Sequence, residues 1–301
     1  MQTKDQTLTR RQFIGTSAAL AGAALFEPFR TLAAPARRTA VDQVPLGQTG
    51  LRCSRLGFGT GTNSGQVQYA LGREAFERLI RYAYDQGITY FDCAQSYATF
   101  KWMGGAIRGL PREKLFLQTK IPGQPKDVLA EIDRHRKTFD TDYLDSVLIH
   151  CMVRAGWPEQ WKRVMEGFDE AQSRKWIRAK GVSCHSLPAL RDAVASDWPQ
   201  IHLVRVNPQA KHIDGPEEAY NKPGNDLAPV LEQIKAMHAK GRGVIGMKIF
   251  GNGDFTQAED REKSIRFALA RPDIHVLVIG FKSTAEIDEA IQRINRALAE
   301  G

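Results

Sequence analysis

From about residue 55 the 301-residue chain repeats one pattern: a short apolar run, a loop, then a longer amphipathic stretch. The apolar runs are Arg55–Gly59, Thr89–Asp92, Leu115–Thr119, Asp145–His150, Ile177–Val182, Leu203–Val206, Val244–Met247 and Val276–Ile279. Between and after them, helix-period patterns lie around 73–86, 101–108, 126–138, 158–175, 188–195, 226–240, 261–270 and 284–298. Strands separated by helices pair in parallel, because a crossover must bring each next strand back alongside. Eight such units close into a barrel more readily than they spread into an open sheet, and roughly 250 residues suffice for one. The fold expected is therefore α/β, a (β/α)8 TIM barrel over residues 43–297. Ahead of it, Val44-Pro45-Leu46-Gly47-Gln48-Thr49-Gly50-Leu51 reads as a β-hairpin around a Gly-containing turn, placed to plug the barrel floor.

Residues 1–36 read as an address rather than as part of that fold. Arg10 and Arg11, within Thr9-Arg10-Arg11-Gln12-Phe13-Ile14, precede a weakly apolar run from Ala18 to Phe26. That run is too short to span a bilayer comfortably, and Ala33, Ala34 and Ala36 follow as small residues suited to cleavage. The order resembles a twin-arginine export signal. It implies the export machinery as a partner and a periplasmic location, with membrane attachment only if the signal stays uncut.

The pI of about 9.3 raises nucleic acid as a partner. Yet Lys4, Arg10, Arg11 and Arg30 against Asp5 and Glu27 place +2 of the formal +8 in the leader. No Lys/Arg run interleaves with aromatics elsewhere, so nucleic acid is not expected. Cys53, Cys93, Cys151 and Cys184 lie far apart and form no CxxC pair, which supports neither a zinc site nor a redox motif. Strand alternation should turn Cys93 and Cys151 away from the barrel interior, toward the helices.

In a (β/α)8 barrel the chemistry sits where strands end. The second strand ends at Asp92, with Tyr97 five residues on; the third ends at Lys120 and the fourth at His150. Singly, such residues mean little, since a strand-end Asp often caps a helix. Together they form an acid–base set. A lysine about 5 Å from a phenol, at an effective dielectric of ~20, favours the phenolate by roughly 3 kcal/mol, or about 2 pK units. Lys120 is thus expected to bring Tyr97 toward the working pH, with Asp92 holding Lys120 and His150 orienting a substrate oxygen. Proton donation to a carbonyl oxygen without metal-ligand spacing implies a hydride from a nicotinamide cofactor.

This set, with the Asp92–Tyr97 spacing, Thr119-Lys120 and Leu148-Ile149-His150, resembles the aldo-keto reductase family over residues 43–297. The resemblance implies Tyr97 as general acid, with Asp92, Lys120 and His150 as its partners. It implies NAD(P)H held without a GxGxxG fingerprint, and a small-molecule aldehyde or ketone as substrate. Gly57-Phe58-Gly59-Thr60 is similar to the family's turn beside the nicotinamide, making Gly59 and Thr60 cofactor candidates. Ser183 and Cys184 match the carboxamide-binding stretch, with Cys184 where Asn is usual, and Asn207 stands near the family's strand-six Gln. Met247 and Lys248 align with the pyrophosphate loop; Lys282, Ser283 and Glu286 align with the adenosine segment. The carboxylate at Glu286 and the cation at Lys282 oppose each other, so only a slight lean to the non-phosphorylated cofactor is expected. Trp102, Trp157 and His212 fall on βα loops as candidates for the substrate mouth. The rival reading is a cofactor-binding regulatory or interaction protein on the same barrel, with little turnover.

Overall fold

The computed structural model describes residues 38–220 and 222–301; the leader expected at 1–36 lies outside the described residues. Two short strands come first, β1 (Gln43–Pro45) and β2 (Arg52–Ser54), paired antiparallel. Eight parallel strands then close a barrel in chain order. They are β3 (Leu56–Gly59), β4 (Tyr90–Asp92), β5 (Phe116–Ile121), β6 (Leu144–Met152), β7 (Ile177–Cys184), β8 (Ile201–Arg205), β9 (Gly243–Met247) and β10 (Val276–Ile279).

Alternation along the strands builds two apolar layers. Inward residues such as Tyr90, Phe116, Leu148, Ala179, Ile201 and Leu203 fill the barrel. Outward residues such as Phe58, Phe91, Leu117, Val147, Val182 and Val204 meet the helices. The hairpin joins the inner layer through Val44, Leu46, Leu51 and Cys53, so it closes the floor. Leu46 is wholly buried there, a contribution of about 1.5–3 kcal/mol. Gly243 makes room for it: a Cβ at that position would stand 2.6 Å from Leu46 Cγ.

The helices cover the outside, and three of them, Val128–Phe139, Leu187–Ala195 and Thr284–Glu300, start on a short polar side chain that caps them. Asp127 Oδ1 accepts from Ala130 N at 2.8 Å, and Ser283 Oγ accepts from Glu286 N at 3.3 Å. Two expected helices differ. The one around 101–108 is a 3-10 turn, Phe100–Trp102, running into Met103–Ile107. Its Gly104 lies where a Cβ would come within 2.3 Å of Thr138 O, so close packing rather than propensity sets this segment. The stretch 158–175 divides at Trp161 into Trp157–Gln160 and Lys162–Ser173. No helix among the described residues is long and apolar enough to cross a membrane.

Candidate active site

Asp92 ends β4 and Lys120 lies near the end of β5, both facing inward at the barrel mouth. Lys120 is buried, and its Nζ donates to Asp92 Oδ1 and Oδ2 at 2.8 Å each, to Cys93 O at 2.7 Å and to Tyr97 Oη at 3.4 Å. Four acceptors therefore surround three protons, and the phenol is the most distant. The turn carrying Tyr97 is tied to the same strand end, since Gln95 N donates to Lys120 O at 3.1 Å. Gly61 leaves space for the ring, because a Cβ there would lie 2.6 Å from Tyr97 Oη.

Electrostatics revise one expectation. Burial, reinforced by the Asp92 carboxylate, holds the Tyr97 phenol well above its ordinary range, although Lys120 stands beside it. The cause is that Asp92 already neutralises Lys120 at closer range than Lys120 approaches Tyr97. The phenol is thus protonated at neutral pH.

His150 stands edge-on to Tyr97, ring centroids 5.6 Å apart. Burial, then Lys120, pushes it down to about 3, so the imidazole is neutral. Its Nδ1 lies 3.3 Å from Ser96 Oγ. Here β6 is irregular: its register against β7 shifts between Ile149 and Met152. Cys151 takes a left-handed φ of 66°, and its N–H donates to Ser183 Oγ at 2.9 Å. The expectation of two outward cysteines therefore holds for one. Cys93 packs in the outer layer, whereas the bulge breaks the alternation at Cys151. That thiol is half-buried, and burial pushes it up to about 11, with Arg205, Asp214 and Lys248 as its charged neighbours.

From Asp92 and Tyr97 a cleft of about 590 Å³ runs across the mouth past Gly59, Met247 and Lys248 to Lys282, Glu286 and Arg261. Burial, then Arg205, brings Lys248 down to about 8. Its ammonium donates to the Asn252 carboxamide rather than to a carboxylate. At the far end Arg261 pairs with Glu289 at 2.8 Å. The slot is elongated, with the Tyr97 phenol at one end and an under-compensated cation along it.

A family model described as the aldo/keto reductase family matches residues 55–300. The chain belongs to that family. It is similar to the 7-acetyl-epi-neemfruitin B aldo-keto reductase of Melia azedarach, 27% identical over 197 residues, 58% of this chain and 59% of that protein. It is also similar to the (1S)-1,7-diacetoxy-luvungin A aldo-keto reductase of Citrus sinensis, 29% identical over 195 residues, 56% of this chain and 59% of that one. The matched region thus spans less than two thirds of either relative. The barrel superposes on an aldo-keto reductase of Bacillus halodurans in its holo form with a TM-score of 0.67, covering 87% of this chain and 96% of that one. At 14% identity that likeness concerns the fold.

The other expected contacts divide. Gly59, Met247, Lys248, Lys282 and Glu286 line the cleft. Thr60 is buried, with its Oγ1 donating to Asp92 O at 2.9 Å, so it braces the end of β4. Ser183 is committed to Cys151 N. Cys184 faces the helix layer, where its thiol donates to Ala189 O at 3.5 Å. Alternation along β7 puts Ser183 inside and Cys184 outside. Asn207 spends its carboxamide on backbone: Nδ2 donates to Lys211 O and Lys248 O, and Oδ1 accepts from Lys211 N. Ser283 caps the last helix.

Among the mouth candidates, Trp157 is buried under the helices, its Nε1 donating to Ala189 O at 3.0 Å. Trp102 stacks on Tyr69 with centroids 4.7 Å apart. His212 is bonded to Asp254, a cleft residue, at 2.8 Å. Gly61 and Arg261 are among the cleft residues that sequence reasoning misses. Gly61 lies one step beyond the Gly59-Thr60 pair, and only the position of the Tyr97 ring explains it. Arg261 comes from a helix-pattern segment with no local signal.

Proposed function

We propose that this chain is an NAD(P)H-dependent oxidoreductase that reduces an aldehyde or ketone, with Tyr97 as the proton donor. What carries the reading is the Lys120 ammonium, held between Asp92 and Tyr97 at the inner end of an elongated cleft. NAD(P)H bound along that cleft would supply the hydride. Gly59 and Met247 would border its reactive end, Lys248 would meet a phosphate, and Lys282 and Glu286 would meet the adenosine ribose.

The substrate carbonyl oxygen accepts a hydrogen bond from Tyr97 Oη. Burial keeps the phenol protonated until the oxygen turns anionic, and the proton then moves from Oη to that oxygen. The phenolate left behind faces Lys120, whose positive charge has no closer anion than Asp92. With Ser96 donating its hydroxyl proton to Nδ1, the neutral His150 carries its own proton on Nε2 and orients the same oxygen. Helices and the closed floor keep water from Asp92 and Lys120, so their interaction is weakly screened.

Tyr97→Phe tests the assignment. Deleting either member of the buried ion pair would leave an unpaired charge at a cost of about 3–5 kcal/mol, mixing chemistry with folding. The tyrosine variant avoids that. Turnover of NAD(P)H with a panel of small aldehydes and ketones should fall roughly 10²–10⁴-fold while cofactor affinity holds. A variant as fast as wild type would remove Tyr97 from the role. A wild-type protein that binds cofactor but turns over none of the panel would favour the regulatory reading.

We also propose export by the twin-arginine route, on the order of Arg10-Arg11, apolar run and small residues in the leader. Replacing both arginines with lysine should leave folded protein in the cytoplasm. Normal periplasmic yield of that variant would exclude the route.

A further inference from the structure

Beneath the catalytic ion pair the barrel interior holds a second polar layer. Gln118 sits two residues before Lys120 on β5, so both side chains point inward, and its Cα pairs in register with that of Asp92. It is wholly buried. Its Nε2 donates one hydrogen to Asp92 Oδ1 at 2.8 Å and the other to Tyr90 Oη at 2.8 Å. The amide orientation is not free, because turning it over would set a carbonyl oxygen against a carboxylate. Its Oε1 finds no partner among the described residues.

A carboxamide with one unsatisfied end is a poor choice for a barrel core, where leucine or methionine would pack without loss. What it gains is a hydrogen bond to a charged acceptor. The surroundings are shaped to allow this. Gly57 lacks the Cβ that would lie 2.3 Å from the Tyr90 ring, so the ring fits inside and its hydroxyl reaches Gln118.

We infer that Gln118 is a positioning residue for the reaction: its hydrogen bond to Asp92 fixes the carboxylate that holds Lys120 against Tyr97. Asp92 Oδ1 takes two donors, Gln118 and Lys120, while Oδ2 takes Lys120. Without Gln118 the carboxylate turns toward its remaining donor and draws the ammonium inward. The longest of the ammonium's hydrogen bonds, to Tyr97 Oη at 3.4 Å, then breaks before the others. Gln118 does not line the cleft, so the consequence falls on turnover and not on cofactor binding. The inference rests on Tyr97 being the proton donor.

Gln118→Met removes the donor at nearly constant volume. Carbonyl reduction should slow about tenfold in kcat, roughly 1.4 kcal/mol, with KM and cofactor Kd within about twofold. In a Tyr97→Phe background the same change should add nothing, because the path it acts through is already cut. Equal losses in both backgrounds, or wild-type kcat, would overturn the inference. A second readout needs neither substrate nor cofactor. In tyrosine-labelled protein, the Tyr97 Cζ resonance, assigned by its absence from Tyr97→Phe, should shift in Gln118→Met, and an unmoved signal also overturns it. Should the methionine variant not fold, Gln118→Leu removes the same donor and takes the same measurements. If Tyr97→Phe keeps wild-type turnover, the functional reading fails on its own, and the resonance still reports whether Gln118 positions the pair.

Discussion

The two halves of the barrel mouth are built differently. On the β4–β6 side, Asp92, Lys120, Tyr97 and His150 come from strand ends or from a turn bonded to one, and their charges are compensated within the protein. On the β8–β10 side, the cleft is made of loops, and its cations remain partly uncommitted. Lys248 is bonded to an amide, and Lys282 reaches Glu286 only at 3.9 Å. On the function proposed, the first half is ready before anything binds and the second takes an anion. Substitutions on the catalytic side should therefore act on turnover, and those along the cleft on cofactor affinity. A crossover would erase the distinction.

Gly61→Ala probes the border and, after Tyr97→Phe, should have the largest effect. Its φ of −101° is ordinary for alanine, so the backbone bears no strain. The added Cβ would sit 2.6 Å from Tyr97 Oη, and the ring must move. Displacing a reacting group by an ångström costs about 10²-fold, so kcat should fall by that order with an unchanged melting temperature. If cofactor affinity falls instead of kcat, Gly61 acts through the cleft rather than through the Tyr97 ring, and the border lies elsewhere.

Lys248→Met sharpens the other side. The lysine is brought down from its ordinary range to about 8, so it is charged below that pH and neutral above it. An anion binds the charged form, so the Lys248 contribution is present below pH 8 and fades as pH rises through it. A bound phosphate favours the charged form and moves the midpoint upward in the complex. Cofactor Kd should rise about tenfold at pH 7 in the variant, roughly 1.4 kcal/mol. Wild-type affinity should weaken between about pH 7 and 9, while the variant stays flat. A variant with the wild-type pH slope would place the titrating group elsewhere.

The same division decided what could be read from sequence. The eight strands, the floor hairpin and the four strand-end groups follow from the repeat of apolar run, loop and amphipathic stretch, from the Gly-containing turn and from the rule that βα loops carry the chemistry. Side chains fixed by strand position need no tertiary information. Trp157 misled because its loop folds back under the helices. Cys151 misled because a single bulge reverses the direction that alternation assigns. In sequence Asn207 is free to meet a ligand, but loop backbone claims its carboxamide, and no local pattern records that. Even on the strand side, position came more easily than energetics. The expected lowering of the Tyr97 phenol considered Lys120 and omitted both burial and Asp92, which lies closer to that lysine.

The smallest effect expected concerns cofactor choice at the outer end of the cleft. Glu286 is the fourth residue of Ser283-Thr284-Ala285-Glu286, and its Oε2 accepts from Lys282 N at 2.8 Å. Ser283 returns a bond to Glu286 N, so the pair stabilises the start of the helix Thr284–Glu300. The carboxylate therefore does two things, and a test must separate them. Glu286→Gln keeps a side-chain oxygen for Lys282 N and removes only the negative charge. With the side chain about a third exposed, solvent screens that charge, and one like-charge pair costs a 2′-phosphate about 1 kcal/mol. Competitive titration should then show the NADPH-to-NADH affinity ratio rising roughly fivefold, with helix stability nearly unchanged. Lys282 would remain to pair with the added phosphate. The rise should shrink with salt, since the Debye length at 0.15 M is about 8 Å. An unchanged ratio at low salt would mean that Glu286 serves the helix alone and that the ribose lies nearer Arg261.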